Sequence, residues 1–221
     1  MKLIVFNGSP RGKNSNSSVI IKWLLEGAVH YPDFHSETVF LNKPGEQENN
    51  AGKVRDADMI LFVFPLYTDC MPGIVAAFFE KLQPYVGKLN GKKMGFVVHS
   101  GFVEAHHSRF IEKHLVWLTG YLGADYMGTV VKGGSEAFHL MPESMNKKTK
   151  VLFNKLGEAM LKDGKFDEAE MKKLASPEKL TGFTLLLYKI LSGLGVMNIY
   201  FNAELKKNNA IKNSYARPFM E

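Results

Sequence analysis

In the first stretch of the chain, an apolar run gives way abruptly to a polar loop, and this change narrows the possible folds. Residues 3–6 are apolar and include β-branched side chains, which is typical of a buried strand. Residues 7–10 are turn formers that end this strand. An amphipathic helical pattern then occupies residues 19–29. The stretch therefore predicts a strand, a polar loop and a helix in direct succession.

The polar loop predicts an anion-binding site. A loop that leads into a helix N-terminus collects free backbone N–H groups and the positive end of the helix dipole, and both attract anions. Arg11 can bind two oxygen atoms of one anion at once. Hydroxyl donors in the same stretch are Ser9, Ser15, Ser17 and Ser18. We expect the loop to bind a phosphate monoester. The alternative is a plain strand-to-helix turn in which Ser18 or Asn16 caps the helix.

The rest of the first two thirds of the chain alternates between strands and helices. Residues 59–64 are apolar without a break, as in a strand buried on both faces of a parallel sheet. The predicted strands are residues 3–6, 37–41, 59–64, 94–99 and 124–131. Helical patterns follow the first, third and fourth of them. This alternation predicts an α/β fold, namely a doubly wound five-stranded parallel sheet with helices on both faces.

The composition excludes several classes of protein. Cys70 is the sole cysteine, so an intrachain disulfide and a cysteine-based metal cluster are ruled out. We expect Cys70 to be a small buried hydrophobe. The sequence opens into a strand without a signal-peptide pattern, which predicts a cytoplasmic location. The sequence contains no basic motif interleaved with aromatic residues, so nucleic-acid binding is not expected.

The C-terminal third is basic, unlike the rest of the chain. Residues 1–146 carry 14 Lys and Arg against 14 Asp and Glu, whereas residues 147–221 carry 14 basic and 8 acidic residues. We interpret the excess as a solvated basic face. The sequence therefore predicts a sheet domain over residues 1–146 and a basic, mainly helical extension over residues 147–221. Two of its helices are predicted at residues 151–161 and 167–174.

Residues 185–201 are the most apolar part of this extension. The run is nearly long enough to span a membrane, but Lys189 and Ser192 argue against a span because a lysine at mid-bilayer is costly. We expect instead a helix buried against the domain or against a partner subunit, with no membrane span. Residues 206–221 are predicted to form a polar, loosely ordered tail.

Three loops leave the carboxyl ends of predicted strands: residues 7–18, 65–72 and 100–104. In a doubly wound sheet the first, third and fourth strands are neighbours at the point where strand order reverses, and ligands bind outside that edge. The first loop is not a Walker phosphate loop, because its glycines are one residue too close and Asn14 replaces the Ser or Thr that would hold magnesium. We expect the three loops to bind one ligand, with its phosphate in the first loop and without a metal.

These loops carry a family resemblance. The motifs are Asn-Gly-Ser-Pro-Arg-Gly-Lys-Asn-Ser-Asn-Ser at residues 7–17, Pro-Leu-Tyr-Thr-Asp-Cys-Met-Pro at 65–72 and Ser-Gly-Phe-Val-Glu at 100–104. Together they resemble the flavodoxin-like NAD(P)H-dependent FMN reductase and quinone reductase family, over about residues 1–135. The resemblance implies a flavodoxin-like fold, non-covalently bound FMN, NADPH or NADH as co-substrate, and a homodimer. Residues 147–221 have no counterpart in the compact members and lack the cysteines of iron–sulfur relatives.

The resemblance also implies which residues bind the cofactor. The first loop would hold the FMN phosphate, the second would border the ribityl chain and the isoalloxazine ring, and the third would lie at the far edge of the ring. The candidate set is Ser9, Arg11, Ser15, Asn16, Ser17, Pro65, Leu66, Tyr67, Thr68, Met71, Ser100, Gly101 and Glu104. Two alternatives stay open: Tyr67 as a core aromatic residue, and Glu104 as a first-turn acid of the next helix.

The implied activity is hydride transfer from a nicotinamide to the flavin and on to a quinone, nitroaromatic or similar small-molecule acceptor. The flavin carries the chemistry, so no catalytic side chain is expected. His99 ends a strand near the ring and is expected to modulate it. His106 and His107 are neighbours on a predicted helix and face different directions, so we expect surface or rim residues rather than joint metal ligands.

Two other functions remain open. A flavodoxin-type one-electron carrier is one, although such carriers are usually acidic around the flavin and residues 1–146 are balanced in charge. A flavin-binding regulatory protein that contacts a partner through the basic tail is the other.

Overall fold

Five strands form one sheet in the computed structural model, which describes residues 1–29, 31, 33–195 and 198–217. The strands are β1 (Lys2–Asn7), β2 (His35–Phe40), β3 (Met59–Pro65), β4 (Lys93–His99) and β5 (Asp125–Lys132). They lie in the order β2-β1-β3-β4-β5, and every neighbouring pair is parallel. The strand order reverses between β1 and β3, as in a flavodoxin-like fold. The predicted fold class is confirmed.

Helices follow the strands along the chain. They are α1 (Asn16–Ala28), α2 (Gln47–Ala51), α3 (Gly73–Lys81), α4 (Arg109–Leu122), α5 (Lys147–Asp163), α6 (Glu168–Leu174), α7 (Gly182–Gly193) and α8 (Asn198–Lys207). The helical pattern after the third predicted strand predicts a helix from residue 72 to about residue 86, and α3 is shorter than this. It ends at Lys81, and the chain continues as a 3₁₀ turn, Gln83–Tyr85. Pro84 explains this ending, because proline cannot donate a helical hydrogen bond.

The sheet is covered on both faces, which is why its central strands are apolar throughout. Alternate residues of a strand point to opposite faces. Phe6 and Phe62 pack on one face against α3 and α4, and their rings stack with centroids 4.9 Å apart. Val5 and Leu61 pack on the other face against α1 and α5. Every residue of β3 is buried, as its unbroken apolar run predicts.

The crossing of α1 and α5 depends on two glycines. A Cβ atom at Gly27 would overlap the backbone carbonyl of Asn154, and one at Gly157 would overlap that of Leu24. The Asn154 side chain also donates a 2.6 Å hydrogen bond to the Trp23 carbonyl. The two helix backbones therefore lie in direct contact, and α5 is an integral part of the layer that covers the sheet.

The chain divides into two compact units, Met1–Lys179 and Leu180–Glu221. This boundary differs from the one expected after residue 146. The physical reason is the packing of the two helices that follow: Phe153 and Leu156 of α5 are fully buried, and Leu174 of α6 is nearly so. These residues belong to the same core cluster as β1 and β3.

The second unit contains α7, α8 and a 3₁₀ turn, Ile211–Asn213. No residue of α7 is buried, and Phe183, Leu186 and Ile190 are at least half exposed. The expected burial of residues 185–201 against the domain or against a partner subunit stays a prediction. Residues 196 and 197 of that run, and residues 218–221 of the predicted loose tail, lie outside the described residues. None of the described helices is long and apolar enough to cross a bilayer.

Candidate active site

A cavity of about 190 Å³ lies at the carboxyl ends of β1, β3 and β4. Its lining residues are Ser9, Arg11, Asn16, Pro65, Leu66, Tyr67, His99, Ser100, Gly101 and Glu136. The three loops expected to meet at this edge thus converge on one space. In the β3–β4 register, Pro65 lies opposite His99, which brings the second and third loops together.

The first loop is shaped by its own polar side chains. Asn7 is fully buried at the end of β1, where its Oδ1 accepts from the Ser9 N–H at 3.0 Å and its Nδ2 donates to Ser18 Oγ at 3.0 Å. The Arg11 N–H donates to Ser9 Oγ at 3.3 Å. These bonds hold Ser9 and Arg11 on the same side of the loop, beside the start of α1.

Ser15 is the N-cap of α1. Its Oγ accepts from the Ser18 N–H at 3.2 Å and donates to the Gly12 carbonyl at 2.6 Å. The capping residue is thus neither Ser18 nor Asn16, the two expected in the alternative interpretation. Ser15 does not line the cavity, so its place is to fix the loop and the helix start. The N-terminal N–H groups of α1, which carry partial positive charge, follow directly.

Arg11 supplies the cationic side chain among the residues that line this cavity. Its Nη2 lies 3.7 Å from Glu136 Oε1, and both side chains are about half exposed. An ion pair in this setting is weak, because water screens it. A dianionic phosphate can therefore compete with Glu136 for the guanidinium, which binds phosphate oxygens in a bidentate manner.

His99 is buried behind the cavity between two hydroxyls. Its Nε2 lies 2.7 Å from Ser17 Oγ and its Nδ1 lies 2.9 Å from Ser135 Oγ. The Ser135 hydroxyl donates its proton to the Ser100 carbonyl at 3.0 Å, so it accepts from a protonated Nδ1. Nε2 is then the acceptor, and the Ser17 hydroxyl donates to it. Burial lowers the pKa of His99 to about 3, so the ring is neutral at physiological pH.

Asn16 connects α1 to the loop that follows β5. Its Nδ2 donates to the Glu136 carbonyl at 2.9 Å, and its Oδ1 accepts from the His139 N–H at 3.0 Å. This fourth loop was missed in the sequence. The strand order contains the signal that identifies it, because β5 lies beside β4 and its carboxyl end faces the same edge.

The second loop is a tight hairpin turn. Tyr67 and Cys70 exchange backbone hydrogen bonds of 2.8 and 3.0 Å, and Thr68 and Asp69 between them have φ of 48° and 61°. Two successive positive φ values define a type I′ turn, which is strained for a β-branched residue such as Thr68. Cys70 is exposed at this turn. The prediction that it is a buried hydrophobe was wrong, because the hairpin directs it away from the core.

The exposure of the hairpin residues that line the cavity increases from the base of the hairpin to its tip. Pro65 and Leu66 are buried at its base, and Tyr67 is 48% exposed at its tip. Tyr67 is therefore not a core aromatic residue. An apolar base with a projecting aromatic side chain is suited to packing against a flat heterocycle.

Ser15 and four further members of the predicted set do not line the cavity. Ser17 lies behind it and donates to His99. Thr68 is exposed in the hairpin turn. Met71 is 8% exposed, within the apolar core on the α3 and α4 side. Glu104 is the N-cap residue of a 3₁₀ turn, Ala105–Ser108, and contacts the two histidines of that turn.

A larger cavity of about 480 Å³ lies elsewhere, along the edge strand β5. It is lined by Tyr126, Met127 and Thr129 of β5 together with residues of α4 and α6. Apart from Val131, the β5 residues of this lining precede the carboxyl end of the strand, and the loops after β1 and β3 contribute no residue to it, whereas ligands of parallel α/β sheets bind at the carboxyl ends. Position in the fold therefore favours the smaller cavity as the active site.

The residues of the smaller cavity fit flavin mononucleotide. The first loop offers a hydroxyl, a guanidinium and a helix N-terminus, which are the groups that bind a phosphate dianion. The second and third loops offer Pro65, Leu66 and Tyr67 for a flat ring, and Gly101, where the backbone can approach closely. The fold and the site together define a flavodoxin-like, flavin-binding class of protein.

The sequence comparisons agree with this class. A family model described as NADPH-dependent FMN reductase matches residues 1–137. The chain therefore belongs to the NADPH-dependent FMN reductase family, whose cofactor is FMN and whose co-substrate is a reduced nicotinamide nucleotide. The resemblance identified from the loop motifs is confirmed. No curated protein sequence matches the chain.

Solved structures share the fold at low sequence identity. An FMN-dependent NADH-azoreductase from Bacillus anthracis, in complex with FMN, has a TM-score of 0.54 and 16% identity over 72% of this chain and 98% of its own. An NAD(P)H:quinone oxidoreductase from Methanothermobacter marburgensis has a TM-score of 0.57 and 12% identity over 73% and 97%. An apo NADH:FMN oxidoreductase has a TM-score of 0.57 and 14% identity over 80% and 96%. At these identities the likeness establishes the fold.

Proposed function

We propose that the chain oxidises NADH or NADPH and reduces a quinone, a nitroaromatic compound or a similar small acceptor. The observation that supports this most directly is the convergence of the three predicted loops on one cavity at the carboxyl ends of β1, β3 and β4. Solved structures of the same fold include an NAD(P)H:quinone oxidoreductase and an FMN-dependent NADH-azoreductase.

The phosphate of FMN is assigned to the first loop. Ser9 would donate its hydroxyl, Arg11 would exchange Glu136 for phosphate oxygens, and the N-terminus of α1 would add its partial positive charge. Ser15 and Asn16 position this end of the site, because Ser15 caps α1 and Asn16 ties it to residues 136–139. Ser17 acts on the cofactor only through the helix start, since its hydroxyl donates to His99.

The ring of FMN is assigned to the space beside the second and third loops. Bound FMN would supply the hydride-transfer chemistry between the nicotinamide and the acceptor. Pro65, Leu66 and Tyr67 would pack on one side of the ring, and Ser100 and Gly101 would border its edge. His99 stays neutral behind the site, so the chain places no buried histidine charge there.

The test is direct. We expect the purified chain to be yellow, to release FMN on denaturation and to oxidise NADH or NADPH at 340 nm when a quinone is added. Arg11→Ala should weaken FMN binding by roughly tenfold or more, since a charge-assisted phosphate contact contributes about 1.5–3 kcal/mol. Lys13→Ala is the matched control: Lys13 lies in the same loop but lines a different cavity.

Each outcome has a defined meaning. Equal FMN affinity in the Arg11 and Lys13 variants would show that the phosphate lies elsewhere. FMN binding without nicotinamide oxidation, and with two separated one-electron potentials, would favour the electron-carrier alternative. The charge of the cavity rim speaks against a carrier, because Arg11 is balanced by Glu136 rather than surrounded by acids.

We also propose that the chain forms a homodimer through the exposed face of α4. Phe110, Trp117 and Tyr121 are at least half exposed on this helix, and the Trp117 and Tyr121 rings stack with centroids 5.0 Å apart. Exposed aromatic residues in a contiguous group are typical of protein interfaces. Size-exclusion chromatography with light scattering measures the oligomeric state.

A further inference from the structure

A second cluster of polar side chains lies just beyond the third loop. It consists of Glu104, His106 and His107, around the 3₁₀ turn Ala105–Ser108. The expectation that the two histidines face different directions was wrong. Adjacent residues diverge on an α-helix, but here the chain has not yet entered α4, and the centroids of the two imidazole rings lie 4.0 Å apart.

Both rings face the same carboxylate oxygen. Glu104 Oε2 lies 3.7 Å from His107 Nε2 and 4.0 Å from His106 Nδ1. The three atoms all lie within 4.8 Å of one another. Zinc binds nitrogen and carboxylate ligands at about 2.0–2.2 Å, so tetrahedral ligand atoms lie about 3.3–3.5 Å apart. The cluster therefore needs only a small side-chain contraction to enclose an ion.

One of these atoms makes no hydrogen bond to the described part of the chain. His106 Nδ1 is inaccessible to solvent and makes no hydrogen bond within the described part of the chain. Nearly all buried polar atoms in proteins are satisfied, so such an atom calls for a specific explanation. A metal ion between His106 and Glu104 would satisfy this nitrogen.

The surroundings hold the cluster in place. The Phe102 ring stacks on His107 with centroids 4.4 Å apart, and the His106 N–H donates to the Glu178 carbonyl at 3.2 Å. Arg109, which follows the turn, is engaged by the Glu178 carboxylate at 2.6 Å and by Glu112 at 2.8 Å. Its positive charge is thereby compensated, which reduces repulsion of a cation at the turn.

We propose that Glu104, His106 and His107 bind a divalent transition-metal ion, for which Zn²⁺ has the best-suited chemistry. Two imidazoles and a carboxylate are a ligand set that zinc accepts, whereas Mg²⁺ and Ca²⁺ take oxygen ligands. Water would occupy the fourth position. The ion would tie the loop of residues 100–104, which borders the cavity through Ser100 and Gly101, to the turn that begins α4. The site does not depend on FMN or on the proposed activity.

The experiment measures metal binding alone. The 221-residue chain is stripped with a chelator and titrated with Zn²⁺ by calorimetry, and with Co²⁺ by visible absorption. We expect one ion per chain and a cobalt spectrum typical of mixed nitrogen and oxygen ligands. His107→Gln and Glu104→Gln should each weaken binding by at least about tenfold, since loss of even an outer-sphere partner costs about 10- to 100-fold.

His114→Gln is the matched control, because His114 is an exposed histidine in α4. It should bind both ions like the unaltered chain. No bound ion at all, or the same affinity in the His107 and His114 variants, would overturn the proposal. Where a ligand variant has lost its helical circular dichroism, X-ray absorption of the zinc-loaded chain decides, and fewer than two imidazole ligands would refute the site.

Discussion

At the scale of single residues, His99 is the group on which three of the site loops depend. Its ring bonds to Ser17 of the first loop and to Ser135 of the loop after β5. Its backbone carbonyl accepts from the Leu66 N–H of the second loop at 2.8 Å. These bonds exist with a neutral ring, so the arrangement of the site is linked to the protonation of one histidine.

The stability of the protein should therefore depend on pH through His99. The unfolded residue takes up a proton near its ordinary pKa of 6.5, whereas the folded residue does so only near a pKa of about 3. Between these values the unfolded state binds more protons, so stability is present above pH 6.5 and is lost as the pH falls. We expect His99 to contribute a slope of at most about 1.4 kcal/mol per pH unit in this window.

Urea unfolding at pH 7, 6 and 5 measures this slope. His99→Asn should be less stable than the unaltered chain at pH 7, because the bonds to Ser17 and Ser135 are lost, and its stability should fall less steeply with acid. Carboxylates titrate in both proteins, so the difference between the slopes isolates His99. His114→Gln should retain the original slope. Parallel slopes for the His99 variant and the unaltered chain would contradict the assignment.

At the scale of elements, the contact of α1 with α5 supports the phosphate end of the site. The residues that cap α1 and cross to the loop after β5 lie at its first turn, while its later turns cross α5 at Gly27 and Gly157. A change in this crossing moves the helix start that the phosphate is expected to use. Backbone-to-backbone contact makes the crossing intolerant of added volume.

Gly157→Ala should therefore destabilise the protein, by about 1–3 kcal/mol as for other overpacked sites. The new Cβ would overlap the Leu24 carbonyl, and backbone cannot move aside as a flexible side chain can. Gly120→Ala in α4 is the control, since a Cβ there meets nothing within 4 Å. It should stabilise by up to about 1 kcal/mol through helix propensity. Changes in the free energy of unfolding that have opposite signs for the two substitutions would support the packing. A similar increase in stability for both substitutions would refute it.

At the scale of the whole molecule, local sequence patterns predicted the strands of the sheet better than they predicted which later elements pack on it. The apolar run of β3 and the donor-rich loop after β1 are contiguous in sequence, so the strands and three site loops were predictable. Ser135 and Glu136 were missed because their place in the site depends on β5 lying beside β4. The place of α5 in the first unit could not be read from the sequence, because α5 resembles any amphipathic helix until its contact with α1 is known.

Truncated chains test whether the first unit ends at Lys179. All three clusters of buried apolar residues and the whole cavity lie before Lys179, so a chain of residues 1–179 should unfold cooperatively and bind FMN like the 221-residue chain. A chain of residues 1–146 lacks Phe153, Leu156 and Met160, which are fully buried. These three alone contribute on the order of 5–9 kcal/mol, which is comparable to the whole stability of a domain. The shorter chain should therefore be unfolded by circular dichroism.

The same pair of chains locates the self-association. If the exposed face of α4 forms the dimer, residues 1–179 should have the dimer mass in light scattering, and Trp117→Lys should reduce it to a monomer in both the 179- and 221-residue chains. If the exposed apolar side chains of α7 form the contact instead, the 179-residue chain should be monomeric with Trp117 intact. FMN binding should be unaffected in either case, because Trp117 does not line the cavity. A folded 146-residue chain that retains FMN would overturn the unit boundary.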